Sequence, residues 1–223
     1  MTSPIGSAAN MLRNKLSGER YVPDRFRVGM VMALDPTPFI LATGATKVPA
    51  PVTDAGSARI SIEAVGQVST SQGAQLLRLY LPEQRGMFQL HLDRGGNPDE
   101  CRFFARIDEV TPADPGEWGV WLNPSDGMIG WPQFQTKDGK VYDRAWAPGS
   151  SRTPPLRLRE TVETAQGTHV LQSQAMLYAA PTGLADPAPP TEYILVSAVE
   201  AGGRAWVEIA AGIDVNPAML SLA

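Results

Sequence analysis

The stretch from Leu77 to Ile107 reads LRLYLPEQRGMFQLHLDRGGNPDECRFFARI, and its pattern decides the fold class. Leu77, Leu79 and Leu81 alternate with Arg78 and Tyr80. Phe88, Leu90 and Leu92 alternate with Gln89 and His91, and Phe103, Ala105 and Ile107 with Arg102, Phe104 and Arg106. Successive side chains of a strand point to opposite faces, so each run offers one apolar face to a core. Breaks at Glu83 to Gly86 and at Gly95 to Pro98 separate the runs and predict an antiparallel meander. In this reading the polar row that includes Gln89 and His91 faces solvent.

Upstream, Ala58 to Ala64 has the same period, with Ile60 and Ile62 between polar neighbours, and reads as the first of the meander's four runs, set off by a break at Gln72-Gly73. Downstream, Asp138-Gly139 sits between Gln133-Phe134-Gln135 and Val141-Tyr142, the form of a hairpin whose type I′ turn needs positive φ. Glu192 to Val199 and Arg204 to Ile209 flank Ala201-Gly202-Gly203 as a second hairpin. Thr168 to Tyr178 reads as a further strand, and Leu156 to Glu163 as a strand whose spacing also tolerates a helix. Thr111-Pro112 has the form of an N-cap followed by Pro, which places a short helix near 112–122, ending before Pro124. The fold class is mainly β, α+β at most: a many-stranded antiparallel sandwich or barrel with one or two short helices.

The 21 glycines and 20 prolines agree with many short elements joined by turns. Thr46 to Gly56, Ala147 to Pro155 and Pro181 to Pro190 are the punctuated stretches. They suggest an N-terminal segment over 1–20, a β-rich lobe over 21–146, and a second lobe over 156–223 packed with the first as one unit. In the N-terminal segment Ile5, Ala9, Leu12 and Leu16 recur at helical spacing with Arg13 and Lys15 on the flanks. That pattern suits a docking element for an acidic partner or an anionic surface.

With 19 basic and 23 acidic residues the net charge is −4, which gives no support to a nucleic-acid role. The longest apolar run, Val28 to Leu34, is far short of the roughly 20 residues that cross a bilayer, so no transmembrane segment is expected. No signal peptide is read. One cysteine, Cys101, excludes an internal disulfide and a cysteine-rich zinc site.

No phosphate-cradling glycine loop, nucleophile elbow, H-E-x-x-H or C-x-x-C occurs. His91 and His169 lie far apart on strand-like segments and read as strand histidines between polar neighbours. Cys101 has two acidic residues before it and one cation after it, so nothing lowers its pKa clearly, and it reads as a small core residue. Neighbours such as Asp108 and Glu109 point to opposite faces of a strand and make a poor glycosidase pair. The sequence therefore assigns no catalytic residue, no metal and no cofactor. One cluster stands out. Trp118, Trp121, Trp131 and Trp146 lie close together with Tyr142, and Arg144 can share a strand face with Tyr142 and stack on it. The tryptophans are expected to be mostly buried, in a helix packed on a hairpin. The same six residues are the candidate binding surface.

The run Ile107 to Pro112, then Trp118 to Leu122, Asp126 to Pro132 and Phe134 to Lys140, with Tyr142, Arg144 and Trp146, resembles the YjfK-like family of uncharacterised bacterial proteins. Glu192 to Val196 and Trp206 to Ile209 resemble that family's C-terminal end, and the likeness extends over roughly 21–215. It carries over no site residue, because the family has no established activity. What it implies is company: genes for phage-shock-protein-A-like membrane-remodelling proteins, a small multi-pass membrane protein and a relative of glutathionylspermidine synthase. The expected role is a cytoplasmic accessory module with a protein partner, peripheral to the inner membrane. The alternative is a small-molecule binder or enzyme acting on a polyamine or peptide conjugate.

Overall fold

The computed structural model describes residues 26–51, 58–70, 75–84, 86–92, 98–216 and 221–222. The N-terminal amphipathic segment lies outside them. Four consecutive strands, β3 (Ala64–Thr70), β4 (Gln75–Tyr80), β5 (Met87–Leu92) and β6 (Pro98–Val110), form an antiparallel meander, in which β4, β5 and β6 are the runs expected between Leu77 and Ile107 and β3 takes the place of the run expected at Ala58 to Ala64. A second meander follows later, made of β9 (Leu156–Thr164), β10 (Gly167–Pro181), β11 (Thr191–Ala201) and β12 (Arg204–Asp214). β3 pairs antiparallel with β9, and β6 with β12, so the two meanders close an eight-stranded barrel with no free edge. The chain is mainly β.

The barrel is strongly staggered. Directly paired residues run around the wall from Ala179 through Tyr193, Gly212, Phe104, Met87, Tyr80, Ala64 and Thr164. The path returns to β10 at Gly167, near its opposite end. Such a stagger requires steeply tilted strands.

The meander was legible in the sequence, but its apolar row lies on the outside of the barrel. Val68, Leu76, Met87, Phe104, Leu158, Leu177, Leu195 and Ala210, one from each barrel strand, share one core, which is the lumen. Leu77, Leu79, Phe88, Leu90, Phe103 and Ala105 belong to a second core with Phe39, Ile60 and Ile129. This outer core is covered by two parts of the chain. One carries β1 (Val31–Ala33), α1 (Thr37–Ala42) and β2 (Arg59–Ser61), with β13 (Ser221–Leu222) completing a three-stranded sheet in the order β13-β1-β2. Phe39 of α1 meets Phe103 edge-on at 5.1 Å. The other cover is the crossover between the meanders, with α2 (Pro115–Leu122), β7 (Gln133–Gln135) and β8 (Val141–Arg144).

Three local expectations change. The alternating run Ala58 to Ala64 splits at Ile62-Glu63 between β2 and β3, which belong to different sheets. The helix begins at Pro115: Asp114 is the N-cap and accepts from the Glu117 amide at 3.0 Å, while Glu117 accepts from the Ala113 amide. Between β7 and β8 only Gly139 has positive φ, so the connection is a five-residue loop rather than a two-residue type I′ turn. Gly202 and Gly203 both have positive φ and supply that tighter turn between β11 and β12. Among the described residues no helix is long and apolar enough to cross a membrane.

Candidate functional site

The lumen holds a buried ion pair. Arg78 on β4 and Glu160 on β9 are 6% and 3% exposed, and Arg78 Nη1 donates to Glu160 Oε2 at 2.7 Å. Arg78 Nε donates to Gln89 at 3.0 Å, and the Tyr80 hydroxyl donates to the other Glu160 oxygen at 2.7 Å. Arg78 Nη2 has no partner among the described residues. Burial alone would lower the Arg78 pKa; Glu160 and Tyr80 outweigh it, and the pKa is raised. Burial, reinforced by Glu160, raises that of Tyr80. Nearer one mouth, Arg102 lies over the Tyr193 ring and its Nε is 3.3 Å from Asp214, which also accepts from the Tyr193 hydroxyl. Sequence reading missed this network because the row of Gln89 and His91 was assigned to solvent.

A second polar cluster fastens the cover to the barrel. Glu192, at the start of β11, is fully buried. Its carboxylate accepts from the Lys47 amide at 2.5 Å, from Lys140 Nζ at 2.6 Å and from the Tyr142 hydroxyl at 2.8 Å. Burial first, then Glu192, raises the Tyr142 pKa. Lys47 Nζ meets Asp138 at 2.5 Å, and this hydrogen bond, with one from Thr136, holds the Asp138 carboxyl below its usual range. The cations over the Tyr142 ring are Lys47 and Lys140.

Arg144 does share a buried strand face with Tyr142, yet its guanidinium is committed elsewhere. It donates to the carbonyls of Gly130, Ala147, Ser151 and Gly149 at 2.5, 2.8, 2.9 and 3.3 Å. Arg152 similarly donates to Pro124, Gly127 and Ile129. Two guanidinium forks thus bind the crossover loops through backbone oxygens, which a planar five-donor group suits.

The tryptophans sit at the margin of the outer core. Trp118, Trp121 and Trp146 are half-buried and packed against it, and Trp146 also touches the lumen core. Trp131 is 44% exposed. No residue of α2 is fully buried, and Val120 is 55% exposed. The Met128 amide donates to the Val120 carbonyl, so the loop after α2 lies against the helix and extends its apolar surface. On the other flank of α2 a groove of about 380 Å³ runs along the outer barrel wall, with Trp118 and Leu122 as its side.

His91 is half-buried on β5 and His169 exposed on β10. Cys101 is buried, and desolvation pushes its thiol up to about 12. Among the described residues no group of three or more His, Cys, Asp or Glu side chains is placed to hold a metal ion.

No curated protein and no solved structure matches this chain. A family model does, over residues 14–221, and the chain belongs to that family, which is described as Protein of unknown function (DUF2491).

Proposed function

We propose that the chain is a non-catalytic interaction module that takes a protein partner on the face formed by α2 and the loop after it. The observation that carries this reading is Val120, which stands 55% exposed on α2 while Trp118, Trp121 and Leu122 of the same helix pack half-buried against the outer core. Met128 and Trp131 continue the surface at 37% and 44% exposure. Exposed aromatic and apolar side chains on a rigid support are what interface centres are made of. The Arg144 and Arg152 forks provide that support, so little ordering is left for the moment of binding. In this role Trp118, Trp121, Tyr142, Arg144 and Trp146 hold the surface in place, while Val120, Met128 and Trp131 present it.

The resemblance to the YjfK-like family supplies the partner's character: a protein of an envelope-associated, membrane-remodelling system, met at the cytoplasmic side of the inner membrane. Affinity capture with tagged wild-type chain, and with Val120→Asp and Trp131→Ala variants that melt normally, tests the reading. A single membrane-associated partner should be enriched by the wild type and lost with both variants. Equal recovery by all three chains, or enrichment of none, overturns it.

A further inference from the structure

The groove beside α2 has a chemistry separate from the apolar surface described above. Its floor is set by strand register. Arg157 of β9 lies directly across from Gln174 of β10, and Gln174 across from Ala198 of β11. One step along, Gln172 faces Glu200, and Glu200 faces Ala205 of β12. Directly paired residues on one face stand only about 5 Å apart. Arg157, Gln172, Gln174 and Glu200 therefore form one contiguous polar set around the small side chains of Ala198 and Ala205. The long side chains leave a depression over the alanines, and Trp118 and Leu122 wall it on one side.

None of these four polar side chains makes a hydrogen bond or ion pair among the described residues. By contrast, the Glu192 carboxylate has three donors and the Arg144 guanidinium four acceptors. The set offers a guanidinium, two carboxamides and a carboxylate. These groups are planar, and between them they donate and accept in pairs. One cation and one anion leave the groove without net charge, which favours neither a polyamine nor a phosphate. An indole with planar donors and acceptors around a shallow floor matches a neutral ligand having an apolar face and a rim of hydroxyls. At about 380 Å³ the space falls at the small end of the roughly 300–1,000 Å³ range of small-molecule sites.

From this geometry we infer that the groove is a saccharide-binding site of one or two sugar units. The apolar face of a pyranose lies against Trp118, and Arg157, Gln172, Gln174 and Glu200 hydrogen-bond its hydroxyls. The inference does not depend on the protein-partner reading, which uses Val120, Met128 and Trp131.

Titration of the full chain with maltose, cellobiose and N,N′-diacetylchitobiose, followed by tryptophan fluorescence and amide chemical shifts, provides the test. At least one disaccharide should bind with a dissociation constant of roughly a millimolar, as an open groove with few hydrogen bonds allows. Shifts should centre on residues 157, 172–174 and 198–200. Gln174→Ala and Glu200→Ala alter exposed or half-exposed side chains without partners among the described residues, so they should melt like the wild type and weaken binding about three- to tenfold each. Val120→Asp, which strikes the partner surface, should leave the titration unchanged. The inference falls if none of the three disaccharides perturbs the groove residues, if both groove variants bind as the wild type does, or if spermidine shifts the same residues more strongly than any sugar.

Discussion

Arg78 and Glu160 stand 82 positions apart in the chain and meet inside the barrel at 2.7 Å, across a strand that belongs to neither of them. β3 lies between β4 and β9, and opposite Arg78 it contributes Gly66. A Cβ on Gly66 would sit 1.8 Å from Glu160 Oε1. The absent side chain is what lets an arginine of the first meander reach a carboxylate of the second. The pair couples the two halves of the barrel in a medium where an unpaired charge is very unfavourable.

Removing one partner should therefore be worse than removing both. Arg78→Met or Glu160→Gln alone is expected to lower the unfolding free energy by about 3–5 kcal/mol, and the double variant Arg78→Met/Glu160→Leu by less than either. Gly66→Ala, which drives a methyl group into the carboxylate, should resemble the single variants. Urea unfolding of the four proteins reads this directly. A double variant as unstable as the two singles summed would show that the pair is not coupled.

The same residues show how far the sequence could be read. Alternation in Leu77-Arg78-Leu79-Tyr80-Leu81 specifies a strand with one apolar face, and β4 is there. Alternation does not say which face is inside a closed barrel, because an apolar row is equally well buried beneath an outer layer. Here β1, α1 and the crossover supply that layer, so the leucines face outward to them and Arg78 faces the lumen. The Gly202-Gly203 turn was legible because it is local. The partners of Tyr142 and Arg144 were not: Glu192 is 50 positions from Tyr142, and the acceptors of Arg144 are backbone carbonyls that no side-chain pattern announces. For the groove, Trp118 was visible as part of a cluster, but its polar floor comes from register among four strands.

Arg144→Lys should be far from conservative. A lysine ammonium cannot reach the carbonyls of Gly130, Ala147, Gly149 and Ser151 together, and the oxygens left unpaired are partly buried. A loss of about 3 kcal/mol is expected, since each orphaned buried group costs about 1–3 kcal/mol. Ala147 itself has φ of 50°, so Ala147→Gly should recover about 1 kcal/mol. Opposite changes in Tm for these neighbouring substitutions would confirm that the fork holds a strained loop in place.

The Glu192 cluster separates a buried ion pair from an exposed one. Glu192→Ala removes a fully buried acceptor of three donors and should cost about 3–5 kcal/mol, with little dependence on salt. Asp138→Asn disturbs the exposed partner of Lys47 and should cost far less than the Glu192 variant, and less still at high salt. Guanidinium chloride would itself screen the weaker pair, so urea melts at low and high sodium chloride are the measurement. Equal costs for the two variants would contradict this division.

Cys101 links burial to a pH dependence whose sign is fixed. Its thiol, with an ordinary value of 9.0, is pushed up to about 12, mainly by desolvation and further by Asp214 against the opposing pull of Arg102. The folded state therefore keeps a proton that the unfolded chain gives up. The contribution to stability is fully present below about 9 and is lost as pH rises towards about 12. Tyr80 and Tyr142, also raised, act in the same direction, so the wild type should weaken steeply on the alkaline side. Cys101→Ala should lose some stability at neutral pH through the missing sulfur, yet lose less than the wild type as the solution is made alkaline. At neutral pH the native thiol should react with a disulfide reagent only as fast as the protein opens, and at once in denaturant. Labelling of the native chain within the mixing time, or parallel pH curves for the wild type and Cys101→Ala, would refute both the burial of this thiol and the cause assigned to its shift.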